Sequence, residues 1–206
     1  MTSEERLVLA ESIPGFMPVD EGRLLYDLAR SFPPGATLLE IGAWCGRSSV
    51  FLGAGAAESG GVVFSLDHHH GSEENQEGWE YFDPDLVDPF DGRLNTLPHW
   101  QRTIARAQLE EVVVGVVGES TLVGSRLALS FDLVFIDGGH GSDPAWADYR
   151  TWASRVKPGG LLALHDVFEN PAEGGRPPYE IFLFAQRDGF TPRHHCGSLQ
   201  VLEREV

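Results

Sequence analysis

The chain has 206 residues, 42% hydrophobic and 22% charged, which suits one globular domain with a well-buried core. Its 31 Asp and Glu against 15 Lys and Arg give a net charge of −16, a surface that repels phosphate backbones and anionic lipid and argues against nucleic acid or a membrane as partner. Cys45 and Cys196 lie too far apart in sequence to suggest a disulfide framework, and MTSEERLVLA lacks the basic-then-apolar order of an export signal, so a cytoplasmic location is expected.

In chain order, residues 3–12 and 20–31 are helix-compatible, with Leu24, Leu25, Leu28 and Ala29 forming an apolar stripe in the second. The apolar turn at 13–18 reads as a staple onto the core rather than as a lid. Pro33-Pro34-Gly35 precedes a strand at 36–41, and a helix over 48–58 follows. A second strand at 62–66 closes on Asp67. The stretch 68–98 opens with His68-His69-His70-Gly71 and has no strong periodicity, so it is expected to be a functional loop or cap. A helix at 99–109 leads to a strand at 112–117, the turn Gly118-Glu119-Ser120 and a short helical segment at 121–129. A strand at 132–136 ends in Asp137, and Gly138-Gly139-His140-Gly141 leads into a helix at 144–156. The turn Lys157-Pro158-Gly159-Gly160 precedes a strand at 161–164 and the pair His165-Asp166. A helix from about 179 to 187 and a hairpin of 190–195 with 198–203 close the chain.

Strands alternating with helices imply an α/β fold, Rossmann-like and doubly wound. The expected sheet has seven mostly parallel strands with an antiparallel terminal hairpin. The whole of 1–206 reads as a single domain, with an N-terminal helical segment at 1–34 and a cap-like insertion at about 68–98. Ligands of such sheets bind at the carboxyl ends of the strands. Those ends carry Glu40, Asp67, Glu119, Asp137 and His165-Asp166, too regular a series to serve solubility alone. After the first strand, Gly42 and Gly46 permit φ > 0 and close backbone approach. The next helix offers unpaired amides with the Ser48 and Ser49 hydroxyls, while Glu40 suits a hydroxyl or ammonium donor.

Glu-Ile-Gly-x-x-x-Gly, the acid after strand two, the acidic turn after strand three, Phe-Ile-Asp-Gly-Gly-His after strand four and Lys-Pro-Gly-Gly before strand five resemble class I S-adenosylmethionine-dependent methyltransferases. The likeness spans about 36–203. Phe135–His140 with Leu164-His165-Asp166-Val167 resembles the branch of macrocin-type O-methyltransferases and cephalosporin-hydroxylase-like proteins. The resemblance implies that Glu40, Gly42 and Gly46 hold the methionine moiety of the cofactor, with Ser48 and Ser49 beside them. It implies that Asp67 takes the ribose hydroxyls as a bidentate acceptor, and that His68, Gly118, Glu119 and Ser120 border the adenine. His68 departs from the apolar residue usual at its position. Asp137 is placed near the sulfonium and the acceptor.

Methyl transfer needs the acceptor oxygen in line with the methyl group and usually stripped of its proton. A divalent cation does both, and Asp137, His165 and Asp166 form a candidate ligand set of two carboxylates and an imidazole. The imidazole makes Mg²⁺ a less natural guest and leaves Mn²⁺, Fe²⁺ or Zn²⁺ open. His140 is the candidate general base, with a loop hydrogen bond as its alternative. A small-molecule acceptor is expected, and the oligomeric state, a homo-oligomer included, is left open. The competing readings are an NAD(P)-dependent or nucleotide-sugar enzyme, which lacks its G-x-G-x-x-G, a cofactor-binding protein without catalysis, and a non-haem metal enzyme.

Overall fold

The computed structural model describes all residues except Glu80, His140 and Pro171. Two helices lead in, α1 (Ser3–Glu11) and α2 (Val19–Ser31). The first is fixed by a capping box: the Thr2 hydroxyl accepts from the Glu5 amide while the Glu5 carboxylate accepts from the Thr2 amide. There follow β1 (Thr37–Ile41), α3 (Arg47–Ser59), β2 (Val62–Asp67), α4 (Leu97–Ala107), β3 (Val113–Val117), α5 (Ser120–Gly124) and β4 (Phe131–Ile136). The chain ends with α6 (Ser142–Trp152), β5 (Val156–Leu164), α7 (Arg176–Ala185), β6 (Phe190–Cys196) and β7 (Leu199–Arg204). Among the described residues, no helix is long and apolar enough to cross a membrane.

The seven strands form one sheet in the order β3-β2-β1-β4-β5-β7-β6. The first five are parallel and the terminal hairpin runs antiparallel, as expected. The order reverses between β1 and β4, the switch point where open α/β sheets leave a crevice. Side chains alternate across the sheet. Leu38, Leu133, Phe135 and Ala163 pack under α1 to α4 with Phe51, Leu52 and Trp100. Leu39, Ile41, Val134 and Leu162 pack on the other face with Trp152 of α6 and Ile181 of α7.

Four local expectations are revised. Residues 157–160 belong to β5 as a bulge: the pair Phe131↔Val156 is followed by Leu133↔Leu161, so the Pro-Gly-Gly turn is looped out between ladder bonds. Helix α7 starts at Arg176, because Pro177 and Pro178 fall in its first turn, where no amide donor is needed. The helical segment after β3 stops at Gly124, where the Arg155 guanidinium takes the carbonyls of Gly124 and Leu127. The connection from β2 to α4 contains two short 3₁₀ turns and a bridge between Val87 and Leu94.

Candidate active site

Strand register brings the β4 and β5 tips together. Ile136 pairs with Leu164, and the His165 amide donates to the Ile136 carbonyl, so Asp137 and His165 leave the sheet side by side. His165 Nδ1 lies 2.9 Å from Asp137 Oδ1 and 3.2 Å from Asp166 Oδ2. Despite these short distances it makes no aligned hydrogen bond and is closed to solvent. The three side chains offer ligand atoms all within 4.8 Å of one another. His165 follows the parity of Leu161 and Ala163, so its ring points under α2. There its Nε2 lies 2.6 Å from Glu21 Oε2. Burial disfavours the charged ring, but Asp137, Asp166 and Glu21 outweigh it and drive the His165 pKa far upward. Burial likewise opposes an ionised Glu21, yet His165 and the Ser198 donors hold its carboxyl below the ordinary value.

The β1 tip is built differently. Glu40 shares the parity of Leu38, so it points into the core beneath α3 and is 0% exposed. Its Oε2 accepts from the Ser49 hydroxyl at 2.5 Å and the Ser65 hydroxyl at 2.6 Å, while Trp100 Nε1 donates to the Ser49 oxygen. Oε1 has no partner. Burial pushes the Glu40 carboxyl up to about 7, although the Ser48, Ser49 and Ser65 hydroxyls favour its ionised form. Asp67 braces the loop after β1: Oδ2 accepts from the amides of Ala43 and Trp44, both at 2.9 Å, and Oδ1 accepts from His69 at 2.7 Å. A carboxylate offers about four lone-pair sites, so one remains for a ligand. Gly42 is required by close packing: at φ 88° a Cβ there would stand 2.0 Å from the Asp137 carbonyl oxygen. Gly46 caps α3 in the left-handed region, with Trp100 and Thr103 against its α-carbon.

The histidine run is spent on its own loop. His68 Nδ1 accepts from the His70 amide, His69 Nδ1 pairs with the Thr96 hydroxyl, and His70 Nδ1 donates to the Leu94 carbonyl. Among the described residues, it forms no three-ligand group. At the β3 tip, Gly118 donates to the Asp67 carbonyl and Glu119 is exposed. Ser120 accepts from Trp152 Nε1 at 2.8 Å. Buried Asp148 sits beside Gly138, and desolvation raises its carboxyl to about 6. Cys45 is packed in the core and burial raises its thiol to about 12, so the helix N-terminus does not activate it. His140, the expected base, lies outside the described residues.

The 13–18 turn is stapled as expected through Ile13 and Met17, with the Arg47 guanidinium donating to the Ile13 and Gly15 carbonyls. Phe16 stays exposed and meets Tyr81 edge-on at 5.1 Å and Trp44 at 5.9 Å. A cleft of about 580 Å³ runs from Phe16 past Glu21 and Asp166 to Phe168 and Ser198. Arg176 lies over the Tyr179 ring and donates to the Glu169 carbonyl. Sequence reasoning missed Glu21, Ser65, Trp100 and Asp148. Two of them left a signal: Glu21 shares a helical stripe with Leu25 and Leu28, and Asp148 shares one with Ala145, Tyr149 and Trp152. An acid on an apolar stripe is buried and must have a partner.

Residues 39–167, more than half the chain, match the family model described as a methyltransferase domain. The chain belongs to the methyltransferase domain family. The resemblance to class I methyltransferases is thereby borne out, and so is the expected fold. An O-methyltransferase from Bacillus cereus, solved in complex with SAH, shares 19% identity at a TM-score of 0.64, over 98% of this chain and 90% of that one. TomG from Streptomyces achromogenes, an O-methyltransferase of tomaymycin synthesis solved with SAM, shares 18% identity at a TM-score of 0.64, over 99% and 89%. A Podospora anserina methyltransferase bound to SAH shares 14% identity at 0.66, over 99% and 87%.

Proposed function

We propose that this methyltransferase transfers a methyl group from S-adenosylmethionine to a hydroxyl of a small-molecule acceptor, with a divalent cation held by Asp137, His165 and Asp166. The observation that carries the reading is the His165 Nδ1 atom: buried, within 3.2 Å of two carboxylates, and without an aligned hydrogen bond. An unsatisfied ring nitrogen between two acids fits a cation, because an ion would satisfy all three donors at once. The one imidazole among two carboxylates favours Mn²⁺ or a later first-row ion over Mg²⁺. When bound, the cation would lower the pKa of an acceptor hydroxyl and hold its oxygen.

The surrounding residues supply position and exclude water. Asp67 keeps one lone pair, so it would accept one ribose hydroxyl rather than two. Glu119 and Ser120 would border the base, and the bare amides of α3 with Ser48 would face the amino-acid end. The cleft beside Asp166 would take the acceptor, with 68–98 as a cap within a single domain of 1–206 that begins with a helical segment at 1–34. His140, next in sequence to Gly139, would serve as general base. That the Bacillus and Streptomyces proteins are O-methyltransferases supports the choice of a hydroxyl, and the net charge of −16 disfavours a nucleic acid acceptor.

Calorimetry with S-adenosylhomocysteine and with NAD(P)H tests the cofactor, and binding of the nucleotide alone would sink the reading. Labelled methyl transfer to hydroxylated acceptors, with EDTA and with Mn²⁺ restored, tests the cation. Turnover unchanged by chelation would remove it.

A further inference from the structure

We propose that Glu21, on α2 and ahead of every strand-tip motif in sequence, is the positioning residue that makes His165 a cation ligand. The inference rests on the cation reading above. Imidazole has two nitrogens, and the partner of one fixes what the other can do. Glu21 Oε2 accepts the Nε2 proton at 2.6 Å, so a cation that displaces the Nδ1 proton meets a lone pair aimed between Asp137 and Asp166.

Glu21 cannot turn away. Its Oε1 accepts the Ser198 amide at 2.6 Å and the Ser198 hydroxyl at 3.1 Å, so Oε2 is the oxygen left for the ring. The side chain is 2% exposed. Helix α2 is seated closely enough because Gly22 lies against the Phe51 ring, where a Cβ would stand 2.3 Å from its edge. The β6–β7 turn crowds the other side: a Cβ on Gly197 would stand 2.3 Å from Glu21 Oε1. Phe135 meets the His165 ring edge-on at 6.3 Å and limits its rotation. The carboxylate, the backbone amide behind it and the ring in front of it form one fixed relay.

The amide of Ser198 makes an isosteric variant informative. In Glu21→Gln the Ser198 N–H still demands an oxygen, which turns the Gln amide nitrogen toward His165 Nε2. That nitrogen can only donate, so Nε2 becomes the acceptor and the ring proton moves to Nδ1, facing the cation position. Outer-sphere partners of this type are worth roughly 10- to 100-fold in metal affinity.

The experiment is Mn²⁺ titration of the full chain followed by tryptophan fluorescence or calorimetry, with ¹⁵N NMR of His165 in wild type and Glu21→Gln. A 10- to 100-fold weaker Kd together with loss of the Nε2 proton supports the assignment. An unchanged Kd, or a retained Nε2 proton in a folded Glu21→Gln, overturns it; a lowered Tm alone would mark a purely structural residue. If Glu21→Gln does not fold, Gly197→Ala decides, since it pushes on Oε1 without changing the carboxylate, and an unaltered Mn²⁺ Kd there overturns the assignment. Wild type that binds no Mn²⁺ sinks the cation reading instead, and the positioning role then stands or falls on the Nε2 proton.

Discussion

The two halves of the sheet's carboxyl edge use the same residue types to opposite ends. At β1 and β2, Glu40 and Asp67 bond to serine hydroxyls and backbone amides, and the β1 acid has no surface left for solvent. At β4 and β5, Asp137 and Asp166 converge on a ring nitrogen that neither satisfies. The first half is a brace holding the loop that leads into α3. The second gathers its acids around one buried imidazole. An acid at a strand tip is therefore defined by the parity of its strand and by what already bonds to it.

Replacing Asp137 or Asp166 by Ala should be the most damaging change. Several kcal/mol of transition-state stabilisation would be lost, so kcat should fall by roughly 10³-fold with Mn²⁺ affinity lost in parallel, while urea unfolding barely moves. Near-normal turnover would place the chemistry elsewhere. Gly42→Ala breaks the comparison where the halves touch. Its Cβ would meet the Asp137 carbonyl at 2.0 Å in a left-handed backbone, so a loss of about 3 kcal/mol is expected in urea unfolding.

Glu40 sharpens the brace. The folded chain keeps its proton up to about pH 7 whereas the unfolded carboxyl releases it near 4.5. Stability from this group should thus fall as pH rises through that window, by about 3 kcal/mol. In Glu40→Gln that slope should be absent from the pH dependence of urea midpoints; a slope equal to wild type would mean another group titrates. The smallest effect is expected from His70→Ala. It loses the bond to the Leu94 carbonyl, about 1 kcal/mol, and should leave the Mn²⁺ Kd unchanged. A weakened Kd would bring the histidine run into the site.

Much of this was legible beforehand because local rules acted on short segments. The period of two in the strands and the stripe Leu25-Leu28-Ala29 located most elements within a few residues. The Pro-Gly-Gly turn misled because a bulge keeps a strand going where turn chemistry predicts its end. Glu40 misled for another reason. Strand β1 is buried on both faces, so nothing in Leu38-Leu39-Glu40-Ile41 says which face its acid shares.

The sequence by itself determined the α/β class, the acid at each parallel strand tip and the family, since these depend on residue type and order along the chain. Tertiary structure alone decided which acids brace the loop before α3 and which gather on the His165 ring. It also brought Glu21, 144 residues from His165, within 2.6 Å of its ring. Such a contact depends on how closely α2 settles on α3 and β5, and packing of that kind has no signature in any short stretch of sequence.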